Sequence, residues 1–189
     1  MEAFLISAVV VAIGEIGDKT QLLALLLAAR FRRPVPIILG ILAATLFNHA
    51  LAGALGGWIR SAVSPEALRW GLGLSFLAIA AWALVPDKLD EKESQPLGRY
   101  GVFAVTLAAF FLAEMGDKTQ LATVALAARF DSLVAVVAGT TVGMLLADVP
   151  AVLFAEKIAT KIPGKAIRYV AAALFAAMGV AALAGFRFA

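Results

Sequence analysis

The 189-residue chain contains no cysteine and a single histidine. Disulfides, thiolate metal centres and cysteine nucleophiles are excluded, and soft or borderline metals such as Cu⁺ and Zn²⁺ find few of their preferred donors. Charge is also scarce. Asp, Glu, Lys and Arg make up 15% of the chain, where soluble domains carry about 25%. The charges are clustered, which leaves apolar stretches of about 18 residues or more, enough to cross a bilayer. With 62% hydrophobic residues and a mean hydropathy of +0.94, the composition predicts an integral membrane protein. The apolar–polar alternation of a membrane β-barrel is missing and Ala and Leu dominate, so the expected class is all-α. A net charge of +3 does not point to nucleic acid, because the basic residues sit in short loops beside the apolar runs. The start, Met1-Glu2-Ala3, has no basic n-region, so no cleaved signal peptide is expected.

Six spans can be drawn, at about 3–29, 34–59, 67–85, 101–128, 132–155 and 166–186. The breaks between them carry turn chemistry and charge, as at Arg32-Arg33-Pro34 and Phe130-Asp131-Ser132. The longest, from Pro86 to Gly98, is polar, contains proline and divides the chain near its middle. The chain therefore reads as a first unit over 1–85, a linker over 86–100 and a second unit over 101–189.

The two units repeat. Residues 15–31 match 114–130 at 12 of 17 positions. The offset of 99 persists, from Gly40 to Gly139, from Arg69 to Arg168 and from Phe76 to Phe175. Each unit holds three spans. Three is odd, so the second copy enters the membrane from the opposite side, giving two inverted three-helix repeats of the kind many secondary transporters use. Ten Lys and Arg near span ends collect on one side: Arg30, Arg32, Arg33, Lys88, Lys92, Arg99, Lys157, Lys161, Lys165 and Arg168. Four lie on the other: Arg60, Arg69, Arg129 and Arg187. The positive-inside rule makes the richer side, with the linker, cytoplasmic and puts both termini outside.

The most similar residues of the repeat are polar. Glu15-Ile-Gly-Asp-Lys-Thr-Gln21 returns as Glu114-Met-Gly-Asp-Lys-Thr-Gln120, each copy inside an apolar run. A charge at mid-membrane costs about 2.5–3.5 kcal/mol on the translocon scale, so such residues mark function. Glu15, Asp18, Gln21, Glu114, Asp117 and Gln120 are candidate metal ligands, with Lys19, Thr20, Lys118 and Thr119 in support. Hard oxygen donors of this kind suit Mg²⁺, Ca²⁺ and Mn²⁺. Each copy sums to one negative charge, so two facing copies are neutralised by one divalent cation or by two protons. That equivalence is the minimum for an exchanger of the two. On a regular helix Glu15, Asp18 and Lys19 share a face and Thr20 points elsewhere, which predicts that each lysine holds the glutamate four residues before it. Gly14, Gly17 and Gly116 permit local unwinding where the backbone lines a cavity.

Two further polar residues fall inside spans. Asp148 in the fifth occupies the repeat position of His49 in the second, so the pair is a candidate for proton handling. Trp58, Trp70, Trp82 and Tyr169 lie near span ends and fit an interfacial belt.

The doubled Glu-x-Gly-Asp-Lys-Thr, at Glu15 to Thr20 and Glu114 to Thr119, resembles the signature of one family. It is the small cation/H⁺ antiporter family that includes Golgi- and thylakoid-type Mn²⁺/Ca²⁺ transporters and bacterial manganese exporters. The resemblance covers essentially the whole chain. It implies antiparallel three-helix repeats with the acidic motifs meeting at the centre to bind metal, and Mn²⁺ or Ca²⁺ moved against H⁺. Some members carry an additional N-terminal helix; none is expected here, which fits the bacterial type and implies the inner membrane. The metal is then cargo and no cofactor is expected, nor is an oligomer required. Rival readings are a divalent-cation channel and a small-solute exporter. An intramembrane aspartyl protease also needs two facing aspartates, but the lysine beside each keeps both acids ionised, so no enzyme is expected.

Overall fold

The computed structural model describes residues 1–85, 101–154 and 164–185. The linker and six expected orientation residues, Lys88, Lys92, Arg99, Lys157, Lys161 and Arg187, lie outside that set, and so does the side chain of Lys165. Eight helices and no strands occur among the described residues: α1 Glu2–Glu15, α2 Lys19–Phe31, α3 Pro34–Ala62, α4 Pro65–Ala83, α5 Val102–Glu114, α6 Lys118–Arg129, α7 Leu133–Leu153 and α8 Gly164–Leu183. Of these, α3 and α7 are each long and apolar enough to cross a membrane.

The first and fourth expected spans are each broken in two, at the acidic motif. Ile16 ends α1 in an extended conformation (φ −62°, ψ 118°) and Gly17 follows at φ 80°. The Asp18 N–H then donates to the Glu15 carbonyl at 3.0 Å. These are the dihedrals and the hydrogen bond of a type II turn, which needs positive φ at its third residue and so calls for glycine. The second copy repeats it. Met115 has φ −63°, ψ 117°, Gly116 has φ 78°, and Asp117 N–H meets the Glu114 carbonyl at 3.1 Å. Each aspartate becomes the N-cap of the next half-helix. Three residues on, the Gln21 and Gln120 carbonyl oxygens accept the Gly17 and Gly116 N–H groups at 2.8 and 2.7 Å. This is capping-box logic, displaced by one residue.

The other boundaries follow local rules. Arg32 closes α2 in the left-handed region (φ 51°) with its N–H on the Ala28 carbonyl, and Pro34 opens α3. Ser64 and Ser132 cap α4 and α7 by accepting the N–H groups of Ala67 and Ala135.

Packing is mainly between halves. α1 lies on α7, α3 on α5 and α6, and α4 on α8. Two of these crossings are made at equivalent glycines. A Cβ on Gly40 of α3 would stand 2.7 Å from the Thr106 side chain and 2.9 Å from the Phe103 carbonyl. One on Gly139 of α7 would stand 2.4 Å from the Phe4 carbonyl and 3.0 Å from the Ser7 side chain. Phe103 and Thr106 are the repeat counterparts of Phe4 and Ser7. The same close approach is therefore built twice, by small residues that bring backbones together.

Candidate metal centre

The two turns deliver the acids. Glu15, Asp18, Glu114 and Asp117 are all 2% exposed or less. One carboxylate oxygen from each of Glu15, Glu114 and Asp117 lies within 4.8 Å of the others. A single cation with oxygen ligands at about 2.3–2.6 Å spans such a triangle, since two ligands on opposite sides of it stand about 5 Å apart. Asp18 is the fourth buried acid, with one oxygen 3.0 Å from Lys118 Nζ.

The threonines orient the glutamates. Thr20 Oγ1 donates to one oxygen of Glu15 at 2.5 Å. Thr119 Oγ1 lies 3.2 Å from the equivalent oxygen of Glu114 and 3.5 Å from an Asp117 oxygen. The second oxygen of each glutamate is buried without a hydrogen-bond partner among the described residues. Burying an acceptor unsatisfied costs roughly 1–3 kcal/mol, more if charged, and a cation between the motifs would satisfy both. On an unbroken helix Thr20 points away from Glu15. The turn brings it back, because it ends one helix at Glu15 and starts the next at Lys19.

The same break overturns the expected lysine pairing. Lys19 is 3.9 Å from Asp117, and Lys118 is 3.0 Å from Asp18. Each lysine thus reaches the aspartate of the other copy, where helical spacing would have set it on the glutamate four residues before it. With the helix interrupted, residue i+4 no longer stands above residue i. The amides also have a backbone task. Both Gln carbonyls hold the turns, and Gln21 Nε2 donates to the Ala147 carbonyl at 3.0 Å, tying α2 to α7.

Asp148 joins the cluster. It is fully buried, neither carboxylate oxygen has a hydrogen-bond partner among the described residues, and it lies within electrostatic reach of Glu15, Glu114 and Asp18. His49 is equally buried, and neither ring nitrogen is hydrogen-bonded among the described residues, so no hydrogen bond links it to Asp148. Sequence reasoning missed the Ala147 carbonyl, a backbone group that no motif announces. Another cavity, of about 550 Å³ between α1, α4, α6 and α8, is no cation site. Its lining is apolar except for the positive Arg129, over the ring of Phe130.

The family described as "Divalent cation/proton antiporter GDT1" matches residues 3–91 and 102–187. A Vibrio cholerae protein named "Putative manganese exporter" is 52% identical over 182 residues, which span 96% of this chain and 90% of that one. A GDT1-like protein of Synechocystis sp. is 30% identical over 193 residues, 93% of each chain. GDT1-like protein 5 of Arabidopsis thaliana is 26% identical over 220 residues, 97% of this chain and 96% of its own. No solved structure matches. The family match runs through both acidic turns and all eight helices, and the chain belongs to the GDT1 family of divalent cation/proton antiporters.

Proposed function

We propose that this protein exchanges Mn²⁺ for protons across a bacterial inner membrane and carries the metal out of the cytoplasm. The observation that carries the proposal is the convergence of Glu15, Glu114 and Asp117 from two sequence-related turns onto one cation-sized space. Asp18 completes the acid set. Gln21 and Gln120 have a second carbonyl lone pair for the ion while the first holds the turn. Lys19 and Lys118 balance the aspartates, and Thr20 and Thr119 aim the glutamates. Four acids and two lysines leave two negative charges, which one divalent cation or two protons neutralise. Asp148 offers a further place for a proton beside the cluster, with His49 at the matched position of the other half. Hard oxygen donors accept both Mn²⁺ and Ca²⁺; the name of the Vibrio cholerae relative favours manganese.

The proposed architecture is six spans in two inverted repeats, over 1–85 and 101–189, joined by a cytoplasmic linker at 86–100. In it α1–α2 and α5–α6 each form one broken span. Each half-helix is about 20 Å long, too short alone for a hydrocarbon core of about 30 Å, and irregular backbone at membrane depth is tolerated where it lines a binding cavity. The ten-to-four distribution of Lys and Arg supports both termini outside.

Everted membrane vesicles test the proposal. With a respiration-acidified lumen, Mn²⁺ should accumulate inside and uncoupler should abolish the accumulation. Accumulation that ignores the uncoupler, or Ca²⁺ taken up in preference to Mn²⁺, contradicts it. A current far above carrier turnover would establish a channel instead.

A further inference from the structure

Beside the acid cluster lies a recess of about 10 Å³, bounded among others by Gly17, Asp18, Ala83, Lys118, Arg168 and Ala171. That volume is about what one water occupies. Its floor is the Asp18–Lys118 contact, whose side chains are at most 5% exposed. Its walls come from the first acidic turn, the last residue of α4 and the start of α8. Gly17 and Arg168 are partly exposed at its rim. The end of α4 and the start of α8 flank the linker and the 157–165 segment, on the side that collects the positive charge.

The repeat supplies a counterpart for these six residues at an offset of 99: Gly116, Asp117, Ala182, Lys19, Arg69 and Leu72. Ala182 is at the end of α8 and Arg69 and Leu72 are near the start of α4, so this second set faces the opposite way. Its lysine contact is longer, Lys19–Asp117 at 3.9 Å, and Lys19 is 17% exposed. Each aspartate of the centre is therefore covered by the lysine of the other copy, once toward each end of the α4–α8 pair.

We infer that the recess at Asp18, Lys118 and Arg168 is the port by which a divalent cation reaches the buried acids from the linker side, with Lys118–Asp18 as its latch. Lys19–Asp117 is the matching latch toward the other side. A divalent cation carries twice the charge of the ammonium and displaces it from the Asp18 carboxylate. The released Lys118 then meets the cation on one side and Arg168 on the other, both positive, and moves aside. The port rests on the exchange reading, but its test reads access and not transport.

The absence of native cysteine makes that test direct. Ala171→Cys and Leu72→Cys are introduced singly and treated with a membrane-impermeant thiol reagent in everted and right-side-out vesicles. Ala171→Cys should react only from the linker side. Adding Lys118→Gln should speed labelling at 171 about tenfold, the order expected for loss of one charged contact, and leave position 72 alone. Lys19→Gln should do the reverse. Labelling of Ala171→Cys from the opposite face, no labelling from either, or equal effects of the two lysine variants at both positions overturns the inference. General loosening raises all rates together and so counts against it. If the pattern appears without metal-coupled proton movement, the exchange reading fails and the port stands. If exchange is intact without the pattern, the port fails alone.

Discussion

Replacing Gly116 by alanine isolates the backbone turn that makes the site. A Cβ on Gly116 meets nothing within 4 Å, and φ there is 78°. The substitution adds no clash, so its whole cost is conformational. Holding an L-residue in the left-handed region costs roughly 1–2 kcal/mol. In a chain of this size, 1 kcal/mol moves the melting midpoint by about 2–4 °C, so Gly116→Ala should melt roughly 2–8 °C lower in detergent. Gly116→Asn should lose less, because asparagine tolerates this region. Gly57→Ala is the control. A Cβ there also meets nothing within 4 Å, but Gly57 lies inside α3, where alanine is favoured by about 1 kcal/mol, and the midpoint should hold or rise. Assay all three by size-exclusion after heating. Gly116→Ala melting at or above wild type would show that the chain does not form the type II turn, and the convergence of the acids would lose its cause.

Other outcomes follow from the same geometry. Thr119→Val removes a hydroxyl from a carboxylate; hydrogen bonds to charged groups are worth about 1.5–3 kcal/mol, so Mn²⁺ binding by calorimetry should weaken roughly 10- to 100-fold, and unchanged affinity would remove Thr119 from the site. Gly40→Leu should abolish a folded peak because it forces α3 away from α5, whereas Gly71→Leu, whose Cβ meets nothing within 4 Å, should fold; equal yields would refute the close crossing. Arg60 ion-pairs with Asp131, which is 89% exposed, and surface pairs contribute about 0–1 kcal/mol, so Arg60→Gln should change neither melting nor exchange. Asp148→Asn should retain Mn²⁺ binding while lowering the protons moved per metal, read by paired metal and pH dyes; an unchanged ratio would remove Asp148 from proton handling.

The sequence made the ingredients of the centre legible and hid their arrangement. Glu15, Asp18, Glu114 and Asp117 stood out because polar residues in apolar runs are costly, and the offset of 99 linked them. Gly17 and Gly116 signalled possible unwinding, but only the dihedrals of Ile16 and Met115 turn that into a defined break. Without the break, helical spacing pairs Lys19 with Glu15. With it, Lys19 reaches Asp117 of the other half of the chain, and no local periodicity reports that. Gln21 looked like a ligand because an amide oxygen in a motif can be one, and its capping role became visible only with the turn. Asp148 was recognisable as an acid within a span. Its place beside Glu15 and Glu114 depends on the packing of α7 against α1.

In the proposed exchange the two turns form one metal centre that trades a divalent cation for protons. Proteoliposomes loaded with a pH dye and given external Mn²⁺ test it most directly, in wild type and in Glu15→Gln. Mn²⁺ uptake should drive protons out, so that the lumen turns alkaline, and Glu15→Gln should abolish both movements. Metal uptake without proton movement in wild type, or full exchange by Glu15→Gln, would contradict it.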